Sequence, residues 1–131
     1  MPLPYGTWKA LVNGAEGLLR IDPPDAQGIF VGRVFGSTIK GFWNEAAQKI
    51  QFSSYAELGA GAQTPVFGIF EGYLFRSPLN PNPGQDVTVT LVGSLLASAQ
   101  VVGTGTPVLP EVVPSARRST FGWMAQITEV Q

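Results

Sequence analysis

Short runs along this chain alternate apolar and polar residues, and four of them carry a glycine at the same place. The runs read Phe30-Val31-Gly32-Arg33-Val34, Ile39-Lys40-Gly41-Phe42-Trp43, Phe70-Glu71-Gly72-Tyr73-Leu74 and Leu91-Val92-Gly93-Ser94-Leu95. In a strand, residues two apart share a face, so each run sets a glycine between two apolar side chains on one face. Interior glycine in a strand marks a bend, a barrel corner or a close backbone approach. The pattern therefore predicts strands that curve tightly around one interior. The alternation predicts eight strands, over 6–13, 17–22, 28–36, 38–45, 48–55, 66–76, 86–98 and 119–129.

The breaks between these runs carry turn residues: Asn13-Gly14, the stretch from Asp22 to Gly28, and Gly36-Ser37. Asn44 to Lys49 reads as a hairpin loop because both flanks read as strands. Longer connections span 56–65, 77–85 and 99–118. No β-α-β alternation occurs, which excludes a parallel sheet. The expected fold is all-β: one domain over residues 1–131, an eight-stranded antiparallel up-and-down barrel with little helix. Closure removes the sheet edges.

The same alternation assigns the faces. Phe30, Val34, Ile39, Trp43, Phe70, Leu74, Leu91 and Leu95 are expected to point inward, with Phe121, Trp123, Ala125 and Ile127 from the last strand. The sixth strand departs from the rule, because its other face (Ile69, Glu71, Tyr73 and Phe75) is also largely apolar. Val92 and Leu96 extend that face onto the seventh strand. A strand apolar on both sides needs cover on both sides, so this patch is the expected contact between subunits of a dimer or tetramer. The alternative is that the 99–118 loop folds back over it. Glu71 in this strand reads either as an ion-pair partner of Arg33, Arg76 or Lys40, or as a buried acid that contacts a ligand; charged groups are rarely buried unless paired.

The opening strand, Gly6-Thr7-Trp8, then Gly28-Ile29-Phe30-Val31-Gly32 and a Gly41-Phe42-Trp43 strand, resembles the avidin and streptavidin pattern. Phe121-Gly122-Trp123 extends the likeness to the last strand. That group belongs to the calycins, the meander barrels that include lipocalins. The resemblance implies the same barrel, often oligomeric. The chain is also similar to a bacterial family of unassigned role that shares these segments without biotin-binding residues. Biotin contacts do not carry over. The positions that match the ring-binding Asn and Ser are Ala10 and Gly14, and the matching Tyr position is Val34. Phe67 to Phe75 holds no Trp, and the seventh strand reads Ser94-Leu95-Leu96 where the family has a Trp before a Leu pair. A polar ligand head left without partners is heavily penalised.

Composition narrows the chemistry. There is no His and no Cys, so the usual general base, thiolate nucleophile and metal ligands are missing. No enzyme activity, metal or cofactor is expected. Gly59 to Gln63 and Gly103 to Pro107 look like phosphate loops but lack the Lys-Ser/Thr ending. A net charge of −1 without a basic stripe excludes a nucleic-acid partner. Charged residues make up 13% of the chain, against roughly 25% in an ordinary soluble domain. So sparse a charged surface again points to a covered face. No apolar run is long enough to span a membrane as a helix. The N-terminus lacks the signature of a signal peptide, and a cysteine-free chain suits a reducing compartment, so a cytoplasmic location is expected.

Two functional readings remain. In the first, the bulky interior fills the barrel and the protein is a structural, self-associating module. In the second, it holds a small apolar ligand. For the second, the pocket is expected beneath the 56–65 and 99–118 loops, where a meander brings odd-numbered connections together, with Asn13, Tyr55 and Arg117 as the nearest polar groups and Trp43 and Trp123 as lining. The opposite end, with its Pro23-Pro24 turn and proline-rich 77–85 loop, reads as plugged.

Overall fold

The computed structural model describes residues 1–55, 66–101 and 115–130. Eight strands run in sequence order: β1 (Gly6–Val12), β2 (Ala15–Ile21), β3 (Ile29–Val34), β4 (Ser37–Asn44), β5 (Lys49–Tyr55), β6 (Val66–Ser77), β7 (Asp86–Val101) and β8 (Ser115–Val130). Each pairs antiparallel with its neighbours, and β8 returns to β1, so the sheet closes as an up-and-down barrel. The described residues contain no helix.

Two connections are tight two-residue turns. Asn13-Gly14 and Phe35-Gly36 both have positive φ at each central residue (48° and 82°, 47° and 80°). That conformation matches the twist of the flanking strands. Asn and Gly suit it; Phe35 does not, since a bulky side chain at positive φ is an outlier. Its ring lies where a Cβ on Gly17 would stand, so Gly17 makes room for it. In the β2–β3 loop, Asp25 Oδ1 accepts the backbone N–H groups of Gln27 and Ile29 at 2.8 and 2.9 Å.

The last connection is shorter than the 99–118 expected. β7 runs to Val101 and β8 starts at Ser115, with an unbroken register from Asp86↔Val130 to Val101↔Ser115. Gln100, Ala116, Arg117 and Arg118 belong to this ladder. β1 meets β8 only from Lys9↔Gln126 to Val12↔Trp123, so the barrel closes over a short seam and the β7–β8 ribbon continues beyond it.

The interior is packed with side chains. All eight inward residues of the recurring runs are buried, as are Trp123 and Ala125, and Phe121 and Ile127 pack against them. The register explains the glycines. One interior row reads Trp43, Ile50, Gly72, Gly93, Trp123 across β4 to β8. Gly72 and Gly93 face each other, and the Trp123 indole lies over them: a Cβ on Gly72 would meet the indole at 2.8 Å. The Trp123 N–H donates to the carbonyls of Glu71 and Ser94 at 3.2 and 3.1 Å, so the buried donor is satisfied by the backbone that the glycines expose. A second row alternates Phe30, Gly41, Phe52 and Phe70. Phe52 stacks on Phe70 with ring centroids 4.5 Å apart, and both meet Trp123 edge-on. Leu3 and Pro4, before β1, are buried at the barrel end.

Candidate functional site

The residues proposed from sequence fall into three places. Asn13 sits in the β1–β2 turn, exposed, and its backbone N–H donates to the Gly122 carbonyl at 3.0 Å. Tyr55 pairs with Phe67 at the end of β5, and Arg117 pairs with Ala99 on the β7–β8 ribbon. The side chains of Tyr55 and Arg117, and the loops 56–65 and 102–114, lie outside the described residues, and so does the pocket expected beneath those loops. Arg117 is five residues along β8 from Gly122, about 17 Å of strand, so the ladder does not bring its backbone to Asn13. Trp123 is in the core. Trp43 is also buried, but its indole N–H donates to Glu45 Oε2 at 2.8 Å beside the β4–β5 turn, and it lines the opposite barrel end.

The interior offers little to a polar ligand. Among the described residues no polar or charged residue is buried. Ala10 and Val34 both face inward and offer no side-chain hydrogen bond. The indole N–H of Trp8, fully buried, has no hydrogen-bond partner among the described residues.

The outer face of β6 and β7 is apolar and open. Ile69, Tyr73, Phe75 and Val92 are 43–59% exposed, and Leu96 is half-buried. The register extends the face past what sequence alone outlined: Tyr73, Val92, Met124 and Leu11 form one row across β6, β7, β8 and β1. Met124 and Leu11 were missed because neighbours across strands are set by register, which alternation in one strand does not reveal.

Glu71 lies within this face, and its partner differs from those expected. Its carboxylate meets the Lys49 ammonium at 2.7 Å, because register places Glu71 beside Gln51 and Tyr73 beside Lys49. The Lys49 hydrogen bond holds the Glu71 carboxyl below its ordinary value, and the Glu71 hydrogen bond raises Lys49. Lys49 thus pairs across the β5–β6 register and not with Glu45 of its own turn. Glu45 instead meets the Met1 ammonium at 2.6 Å, and this hydrogen bond, with that from Trp43, lowers its pKa. Arg76 pairs with Glu129 at 2.7 Å.

Among the described residues no three His, Cys, Asp or Glu side chains gather as a metal site. No helix of the described residues is long and apolar enough to cross a membrane. The closed eight-stranded meander is compatible with a streptavidin-like or calycin barrel. Comparison of the chain with protein families, with curated proteins and with solved structures finds no match.

Proposed function

We propose that this protein is a non-enzymatic, streptavidin-like barrel that works as a self-associating structural or interaction module, without the biotin-binding residues of the avidins. One observation carries the reading: the interior is filled by its own aromatic side chains, while the outer row Tyr73–Val92–Met124–Leu11 stays open to solvent. Burying apolar surface is the main drive for association. Every residue of this row is paired on both sides, so side-chain packing is what remains to cover it. The Lys49–Glu71 pair neutralises the charge inside the face, which suits a two-fold contact in which each patch meets its own copy.

The expected outcome is a dimer or tetramer in sedimentation equilibrium at micromolar concentration. Tyr73→Glu combined with Phe75→Glu puts like charges into the contact and should give monomer. A parent chain that sediments as a monomer overturns the reading. A second reading, a bound small apolar molecule, is favoured by one interior observation, a Trp8 N–H with no hydrogen-bond partner among the described residues. Native mass spectrometry separates the two, since a retained ligand adds mass beyond multiples of the chain.

A further inference from the structure

A groove of about 690 Å³ lies at the barrel end where the N-terminal segment, the β2–β3 loop and the β4–β5 turn meet. Tyr5, Phe42 and Trp43 line it together with Pro24. Tyr5 is 62% exposed and Phe42 39% exposed, so both rings are open to solvent. Its charged lining residues are Asp25 and Glu45, with no Lys or Arg. Glu45 is already engaged, by the Met1 ammonium and the Trp43 N–H. Asp25 is not: Oδ1 caps the turn through Gln27 and Ile29, and no hydrogen bond or ion pair among the described residues uses Oδ2. The turn thus holds one carboxylate without a cationic partner among the described residues, in a groove lined with aromatic rings.

The chemistry of that lining selects a ligand class. Aromatic faces attract cations through their quadrupole, and a carboxylate adds to the attraction. An anion is repelled. A neutral apolar molecule gains burial but strips water from Asp25 without repayment. The groove is within the usual size for small-molecule sites. We propose that it binds a small organic cation with alkyl or aromatic substituents, of the tertiary or quaternary ammonium class. None of its lining residues belongs to the Tyr73–Val92–Met124–Leu11 row, and the proposal does not rest on self-association.

Choline and its neutral carbon isostere dimethylbutanol test this by nuclear magnetic resonance on nitrogen-labelled protein. Choline should saturably shift the Trp43 indole N–H and the backbone N–H groups of Gln27, Gly28 and Ile29. Dimethylbutanol should bind about two- to fivefold more weakly, the size of one solvent-exposed cation–aromatic contact. Asp25→Asn keeps an amide oxygen for the turn cap, so the fold is retained, and should weaken choline by about two- to fivefold without weakening dimethylbutanol. Tyr5→Leu should weaken choline too. Equal binding of the two probes, shifts that map elsewhere, or no saturation at tens of millimolar would overturn the proposal.

Discussion

Gly32 and Gly93 occupy positions where no side chain has room. A Cβ on Gly32 would overlap the Arg20 carbonyl oxygen, and one on Gly93 would overlap the Glu71 carbonyl oxygen. These obstacles are backbone, which cannot rotate away as a side chain can. Gly32→Val and Gly93→Val are therefore expected to destabilise at or above the roughly 1–3 kcal/mol usual for overpacking. Gly122 is the internal control. It faces outward with open space around its Cβ position, so Gly122→Ala should stay within about 0.5 kcal/mol of the parent. Urea denaturation of the three variants measures this, and equal midpoints would contradict the assignment of faces. The inward sense of these glycines was readable in the sequence because they sit between apolar residues two apart. Their partners were not, since Gly72 opposes Gly93 only through the register between β6 and β7.

At the scale of elements, the β3–β4 turn carries a conflict that the tertiary structure resolves. Phe35 adopts φ 47° in a two-residue turn, a conformation that costs an L-residue roughly 1–2 kcal/mol. Its ring is seated on Gly17 of β2, so the two positions act together. Gly17→Ala alone should destabilise by displacing the ring. In a Phe35→Asn background the same substitution should cost much less, because Asn tolerates this φ and leaves the space free. A double-mutant cycle in thermal unfolding reads the coupling, and additive effects would refute it. Strand positions followed from alternation to within a few residues for most elements. The exception was the β7–β8 ribbon, where Gln100-Val101 and Ser115-Ala116-Arg117-Arg118 show no alternating pattern. Backbone pairing carries those residues into the ladder.

For the whole molecule, the N-terminal segment is part of the barrel end. Leu3 is 4% exposed and belongs to the core, while Gln48 and Arg76 donate to the carbonyls of Met1 and Pro2 at 2.9 and 3.3 Å. Leu3→Ala should cost about 2–5 kcal/mol, as for a buried leucine elsewhere in a core. A melting temperature equal to the parent's would mean that the segment is not packed there. The sequence reading assigns this end to the Pro23-Pro24 turn and the 77–85 loop; Leu3 and Pro4 are buried there as well, and a groove opens beside them where Tyr5, Phe42 and Asp25 converge. Those residues are far apart in sequence and share no motif.

Alternation, glycine placement and turn chemistry by themselves determined the fold class, the order of the strands and the inward faces of β3, β4, β6 and β8 and of the glycine-bearing run of β7. All of these are local properties, since a strand's two faces and a turn's φ values depend on residues a few positions apart. Only the tertiary structure decided the partners: Lys49 for Glu71, the Met1 ammonium for Glu45, Gly93 for Gly72, and Met124 and Leu11 beside Tyr73 and Val92. Partners are fixed by register and closure. Those depend on how eight strands fit around one filled interior, and shifting one strand by one residue would exchange its inner and outer faces without changing a letter of the sequence.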